Sequence, residues 1–334
     1  MGSVKDHNES NKMKKGFIAL GYHYLRPDQK LELFPKIYGL KLDEFLNHIK
    51  MIKDKYEIIS PEDVKRYYYN KFNLVNHKYS LLFTFDDGLS EHYTAANILA
   101  EHGIKAFFFI PSCIVKDRLP ANPMITHYCL AAYGIEVFLE KYKNALEEHN
   151  IDVDKFAIQF TVGIDDPWKT IMKIKSLLSY GFDYKTSRKL ILHIYENSLL
   201  NDYCNAVELI HLTKEQISEM LKMGHSIGTH SHSHISIASS VLSKEDFIVE
   251  MINPKEYLES KFNTNIFAFS YPFGEEQDCL SSEELKHLTD LYELVFTVTK
   301  KVNTKHVSPL ELGRVTPDSR TDYIKLGNIL ETIN

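Results

Sequence analysis

Two groups of residues in this sequence have types and spacing suited to metal chemistry. Asp86 and Asp87 directly follow the apolar run Leu81 to Phe85, and His230 and His234 stand four residues apart. Adjacent carboxylates at the end of a buried strand repel each other unless a cation or a shared proton offsets the charge. Two imidazoles and one carboxylate form a common catalytic set for zinc or a similar divalent ion. The pattern indicates a catalytic metal site, and a helix-capping turn and a His-rich surface loop are the alternative interpretations.

The local structure must bring these side chains into one pocket. Gly88 permits a tight turn after the strand, through which both carboxylates can face the same space. For the histidines, a helical turn after a strand at Ser226 to Thr229 would place His230 and His234 on one side, with His232 pointing elsewhere.

Strand and helix patterns alternate along most of the chain. Apolar strands are predicted at Phe17 to Tyr24, Ala106 to Ile110 and Ile266 to Tyr271, and a helix with regular apolar spacing at Lys41 to Tyr56. This alternation predicts a parallel sheet or barrel whose catalytic residues lie where strands end.

A different pattern fills residues 116–210, which are rich in helical stretches and carry no recognisable motif. We interpret them as an α-helical insertion packed beside or over the pocket. Such an insertion can act as a lid or specificity element, or as a plain structural annex.

The composition is that of a soluble globular protein. The 334 residues carry a net charge of -6, which argues against general attraction to nucleic acid or to an anionic membrane. No apolar run approaches the ~20 residues that span a bilayer. Residues 1–15 are polar and lack the apolar core of an export signal, so we expect a disordered leader and a cytoplasmic protein. The four cysteines show no pairing pattern and are expected to be free thiols.

Three motifs in order resemble a known family. Thr84 to Gly88 (Thr-Phe-Asp-Asp-Gly), His230 to His234 (His-Ser-His-Ser-His) and Phe269 to Gly274 (Phe-Ser-Tyr-Pro-Phe-Gly) are similar to the first three motifs of the carbohydrate esterase family 4 polysaccharide deacetylases. The resemblance extends over residues 16–115 and 213–320. It implies an α/β fold, a distorted (β/α) barrel spanning residues 16–334, interrupted by the helical insertion at 116–210.

The resemblance also implies roles for individual residues. Asp87, His230 and His234 would bind one divalent metal ion, with zinc expected and cobalt, manganese or nickel as alternatives. Asp86 would be the general base that takes a proton from water, and the backbone N–H of Phe273 would donate to the tetrahedral oxyanion.

Two departures from the family pattern leave roles open. Many members have an arginine that orients the base where this chain has Ser270, and a late Leu-x-His motif where this chain has Leu312 to Val315 (Leu-Gly-Arg-Val). The general acid is therefore open. His23 is the first candidate because it ends the first strand, although a lone histidine can also serve a structural hydrogen bond. His306 and His232 are weaker candidates.

The leading functional hypothesis is removal of an acetyl group from an N-acetylated sugar, in surface-glycan or nucleotide-sugar metabolism. The substrate would be an N-acetylated carbohydrate, with no nucleic-acid partner and no stable membrane insertion. A metal-dependent hydrolase of a small non-sugar C–N bond is the second hypothesis. A carbohydrate-binding relative with a degenerate site is the third, and a purely structural role explains the motifs least well.

Overall fold

The computed structural model describes residues 16–26, 33–70, 73–74, 79–156, 167–281 and 283–333. The predicted leader at residues 1–15 lies outside these ranges. The strands are β1 (Gly16–Tyr22), β2 (Leu25–Arg26), β3 (Leu40–Lys41), β4 (Glu57–Ile58), β5 (Ser80–Phe85), β6 (Phe107–Ile110), β7 (Ser226–Thr229), β8 (Ala268–Ser270), β9 (Leu294–Phe296), β10 (Asn303–Thr304) and β11 (Arg314–Val315).

The α-helices are α1 (Leu42–Lys55), α2 (Pro61–Tyr69), α3 (His92–Glu101), α4 (Cys113–Lys116), α5 (Asn122–Glu148), α6 (Val153–Phe156), α7 (Pro167–Ser176), α8 (Tyr184–Glu196), α9 (Leu199–Asp202), α10 (Ala206–Ile210), α11 (Lys214–Lys222), α12 (Lys244–Phe247), α13 (Asn253–Phe262), α14 (Lys286–Thr289) and α15 (Tyr323–Thr332). Two π-helical turns, Leu177–Gly181 and Ile248–Ile252, continue α7 and α12, and a 3-10 turn covers Glu276–Asp278. None of the helices in the described ranges combines the length and apolar character needed to cross a bilayer.

The main sheet curls into a distorted barrel. Its strand order is β10-β1-β5-β6-β7-β8-β9, and the strands from β1 to β9 along this order run parallel. β11 also pairs with β1, and next to it the Leu312 N–H donates to the carbonyl of Val295 in β9 at 2.8 Å. The two edges of the sheet therefore meet, and the carboxyl ends of the parallel strands lie at one rim. The predicted α/β barrel is confirmed.

Alternating side chains of the central strands fill two separate spaces, as the two-residue period of a strand requires. In β5, Leu82 packs with Phe107 and Phe109 in one cluster, whereas Leu81 and Phe83 pack with the surrounding helices in another. Burial on both faces explains why these strands are continuous apolar runs in the sequence.

Two helix starts follow from local sequence. Ser60 caps α2 in a reciprocal capping box with Asp63, and Thr213 caps α11 in the same way with Gln216. Each box satisfies backbone N–H groups that the first helical turn leaves without a partner. α11 leads into β7, the strand after which His230 and His234 follow.

Helices α5 to α10 carry an apolar core of their own. Side chains such as Tyr128, Tyr142, Leu190 and Ile194 are buried in a cluster distinct from the two that line the barrel sheet. A separate cluster allows this group of helices to keep its shape while one of its sides contacts the barrel rim.

Candidate active site

Asp87, His230 and His234 converge at the rim where β5 and β7 end. The Nε2 atoms of His230 and His234 lie 3.3 and 3.0 Å from Oδ1 of Asp87. One ligand atom from each residue fits within 4.8 Å of the others, and all three residues are buried. The structure thus brings the three predicted ligands together.

The protonation pattern of this group fits a cation. Nδ1 of His230 lies 2.7 Å from the carbonyl oxygen of Ser270 and can only donate to it, which leaves the Nε2 lone pair of a neutral ring facing Asp87. Oδ1 of Asp87 is buried and lacks a hydrogen bond within the described ranges. Lone pairs that face each other in a buried space repel unless a positive charge lies between them. Two imidazoles and one carboxylate match the ligand preference of zinc.

Strained backbone turns position these side chains so that they face one another. Asp87 and His234 have φ angles of 75° and 63°, and Ser231 between the two ligand histidines has 56°. The left-handed region costs a non-glycine residue about 1–3 kcal/mol, so such turns persist where the surroundings hold them. The predicted helical turn over residues 230–234 is wrong, because the segment is a bend with two left-handed residues. The expected grouping of His230 with His234, apart from His232, is nevertheless what the bend produces.

Asp86 meets a different partner. Leu82, Thr84 and Asp86 are alternate residues, so the side chain of Asp86 points to the interior of the barrel as theirs do. Its carboxylate pairs with the buried guanidinium of Arg314 from β11. Nη1 donates to Oδ1 at 2.8 Å and Nη2 lies 2.7 Å from Oδ2, a bidentate arrangement. Nη2 also donates to Oγ of Ser270 at 2.9 Å, and that hydroxyl lies 3.3 Å from Oδ2 of Asp86.

Many members of the family have a base-orienting arginine at the position of Ser270. In this chain, Arg314 supplies the guanidinium instead. Nε of Arg314 donates to the carbonyl of Thr297 at 2.9 Å, which fixes the plane of the guanidinium. The sequence signal was an arginine within the apolar strand at residues 312–315, since a buried arginine needs a carboxylate partner.

Both carboxylates stay ionised for different reasons. Burial opposes ionisation of Asp86, but the charge of Arg314 outweighs it and lowers the pKa to about 2. Burial likewise opposes ionisation of Asp87, and the adjacent side chains of His230 and His234 outweigh it, so the pKa of Asp87 lies well below its usual value.

His23 lies at the same rim, at the end of β1. Its Nε2 is 3.8 Å from Oδ2 of Asp86, and its side chain is 35% exposed. Nε2 of His92 lies 2.9 Å from the His23 carbonyl oxygen and holds the backbone there by a hydrogen bond. The weaker candidates lie elsewhere: His306 is exposed beside β10, which pairs with the start of β1 at the opposite end of the barrel, and His232 contacts Ser112 and Asp117.

Phe273 reaches the metal ligands from the loop after β8. Its ring lies edge-on to His234 with 4.9 Å between ring centroids, and its φ angle is 61°. Its backbone N–H makes no hydrogen bond to any part of the chain that the structure describes. A donor without a partner next to the ligand set has the properties expected of an oxyanion donor.

Two further residues hold the motif loops in place, and sequence reasoning missed both. The buried carboxylate of Glu250 accepts hydrogen bonds from the backbone N–H groups of His232 and Ser233, each at 3.0 Å. Nε2 of His211 accepts from the Ala121 N–H at 3.2 Å, so its Nδ1 donates toward the carbonyl of Asp87 at 3.1 Å. Burial lowers the pKa of His211 to about 4, which keeps the ring neutral in this role.

Comparison with known proteins agrees with the resemblance seen in the motifs. The family model described as polysaccharide deacetylase matches residues 133–288, just under half of the chain. That range includes His230, His234 and Phe273 but excludes Asp86 and Asp87. It also runs through most of the helical insertion, where the sequence resemblance was expected to fail. No curated protein sequence matches the chain significantly.

Several solved structures share the fold. The deacetylase PplD of Streptococcus pyogenes, in complex with acetate, superposes with a TM-score of 0.58 at 18% identity, over 95% of this chain and 99% of that one. IcaB from Ammonifex degensii superposes with a TM-score of 0.56 at 16% identity, over 96% of this chain and 99% of that one. The putative polysaccharide deacetylase BA0330 from Bacillus anthracis superposes with a TM-score of 0.56 at 14% identity, over 95% of this chain and 69% of that one. Together, the family match over residues 133–288 and the shared barrel agree with the resemblance of the chain to the polysaccharide deacetylases.

Proposed function

We propose that this protein is a metal-dependent deacetylase that hydrolyses the acetamido group of an N-acetylated sugar. The observation that carries the proposal is the unequal environment of two adjacent carboxylates. Asp87 faces two imidazoles, whereas Asp86 is held ionised by Arg314 and remains available to take a proton. The match to the polysaccharide deacetylase family model supports the acetylated-sugar substrate class.

In this proposal Asp87, His230 and His234 hold one divalent ion, zinc by its ligand preference. When bound, such an ion lowers the pKa of water and polarises the acetyl carbonyl. Asp86 takes the proton of the attacking water as its oxygen bonds to the carbonyl carbon.

The remaining steps concern the carbonyl oxygen and the leaving group. The backbone N–H of Phe273 donates to the oxyanion of the tetrahedral intermediate. His23 gives a proton to the sugar nitrogen as the C–N bond breaks, releasing acetate and the amino sugar. Arg314 keeps Asp86 ionised and oriented between turnovers.

We further propose that residues 116–210 form an insertion that selects the substrate. Asn122 and His127 of α5 and Lys175 of α7 line a cavity together with His234 and Phe273. A group of helices placed there can restrict which part of a sugar enters beside the acetamido group.

Acetate release from N-acetylhexosamines and their oligosaccharides, with and without chelator, tests the function. We expect turnover that a chelator abolishes and added zinc restores. Cyclic imides and small aliphatic amides serve as the comparison panel, since a preference for them would favour the non-sugar hydrolase. Tight sugar binding without acetate release in the zinc-loaded protein would favour the degenerate binding module.

A further inference from the structure

The cavity beside the metal ligands is lined by an unusual set of polar groups. Its walls include His234 from the metal set, His127 and Asn122 from α5, and Lys175 from α7. Among the residues that the structure describes, none that lines the cavity is Asp or Glu. Within that part of the chain, the groups that can carry positive charge have no acidic counterpart in the cavity.

Lys175 is partly buried and has no carboxylate partner among the described residues. No Asp or Glu oxygen lies within ion-pair distance of its ammonium group in the described ranges. Burial lowers its pKa, and the nearby negative charge of Asp87 acts in the opposite direction. A divalent ion would neutralise Asp87, so Lys175 would then face a site of net positive charge. A partly buried ammonium in such surroundings is unfavourable unless an anion enters.

Other nitrogen groups in the same cavity also lack partners. Nε2 of His127 and Nδ1 of His234 are both buried without a hydrogen bond within the described ranges. Oδ1 of Asn122 accepts from Nη1 of Arg188 at 2.5 Å, which leaves the amide nitrogen of Asn122 as the group able to donate. With Nε2 of His234 assigned to the metal, its Nδ1 carries the proton. The cavity thus offers several donors and one positive charge.

We propose that this cavity binds an anionic substituent of the substrate, a phosphate or a carboxylate group carried by the N-acetylated sugar. This inference rests on the proposed deacetylase function and narrows its substrate class. A neutral sugar hydroxyl can accept one hydrogen bond but leaves the ammonium of Lys175 without a counter-charge. Phosphate and carboxylate oxygens accept several hydrogen bonds and supply that charge.

The kinetic test compares Lys175→Met with Lys173→Met, an exposed lysine on the opposite face of the same helix. N-acetylglucosamine is the neutral substrate, its 1- and 6-phosphates carry phosphate, and N-acetylmuramic acid carries a carboxylate. We expect the zinc-loaded wild type to prefer a charged sugar in kcat/KM by about tenfold or more, as a charged hydrogen bond predicts. Lys175→Met should remove this preference through KM, and Lys173→Met should retain it.

Calorimetry provides a readout without turnover. Glucosamine 1- and 6-phosphates and muramic acid, which have no acetyl group, should bind the zinc-loaded protein more tightly than glucosamine, and Lys175→Met should abolish the difference. An equal loss of kcat on neutral and charged substrates would overturn the inference and assign Lys175 to the oxyanion or the leaving amine. Equal binding of charged and neutral amino sugars would also overturn it. If no N-acetylated sugar is hydrolysed, the proposed function fails, and the calorimetric comparison still decides whether the cavity binds anions.

Discussion

Asp86 and Asp87 are neighbours in sequence, yet their carboxylates meet opposite kinds of partner. On the arginine side of the site (Asp86, Arg314 and Ser270), a bidentate guanidinium and a hydroxyl occupy the carboxylate oxygens. On the imidazole side (Asp87, His230 and His234), two imidazole rings face a carboxylate oxygen that has no hydrogen bond within the described ranges. The contrast shows how one turn gives identical side chains different chemistry, since one carboxylate is paired internally and the other is left for a cation.

The largest expected effect is on the imidazole side. His230→Ala or His234→Ala removes one of three ligands, and we expect loss of stoichiometric zinc and of activity down to background. Metal content after dialysis, measured by mass spectrometry, checks this. His306→Ala, at the opposite end of the barrel, is the control and should retain both. Full metal content in both ligand variants would contradict the assignment.

On the arginine side, Asp86→Asn removes the base but none of the three proposed ligands. We expect kcat to fall by ~10²–10⁴-fold, the contribution typical of general base catalysis, while most of the zinc is retained. Asp87→Asn is the matched variant and should lose the zinc itself. An active Asp86→Asn enzyme would show that the base lies elsewhere.

His23 lies close to Asp86 but is not one of the proposed metal ligands. Its replacement therefore tests the arginine side of the site without removing a ligand. If it protonates the leaving amine, His23→Ala should lower kcat on an N-acetyl substrate by about 10²-fold, with zinc retained. The loss should shrink on an O-acetyl ester, whose alcohol needs less help to leave. Equal losses on amide and ester would assign His23 a structural role.

Arg314→Lys tests whether the bidentate geometry matters beyond charge. A lysine keeps the positive charge but cannot donate two parallel hydrogen bonds, so we expect about a 10- to 100-fold loss in kcat with unchanged metal content. Arg320→Lys, an exposed arginine, serves as the control. Unchanged kinetics in Arg314→Lys would show that only the positive charge of Arg314 matters, and not its two parallel hydrogen bonds.

The smallest effect is on acid stability. Because the pKa of Asp86 is lowered to about 2 in the folded protein, its pairing stabilises the fold above the ordinary pKa of an aspartate. This stabilisation is lost as pH falls from about 4 toward 2. In metal-free protein, the free energy of unfolding in urea should therefore fall with pH over this window in the wild type. Asp86→Asn should be less stable at pH 7 and show a shallower decline.

The sequence predicted the parts of the site that local motifs encode. Asp86, Asp87, His230 and His234 stand next to strands whose apolar runs are easy to recognise, and parallel strands bring their ends to one rim. Arg314 could not be assigned in this way, because it lies 228 residues from Asp86 in sequence and meets it only when β11 pairs with β1. The bend at residues 230–234 was also missed, since its left-handed residues are not glycines. The expected cytoplasmic location stays a prediction.

The pairing of β11 with β1 has a consequence for biosynthesis. During synthesis the chain carries both aspartates and both ligand histidines well before Arg314 emerges from the ribosome, so the imidazole side can form first. Until then Asp86 has no guanidinium, and burial alone would raise its pKa. Joining β1 to a strand almost three hundred residues later also requires closure of a very long loop, which is expected to slow the last step of folding. Hydrolytic activity is thus expected to appear only after barrel closure, later than the capacity to bind metal.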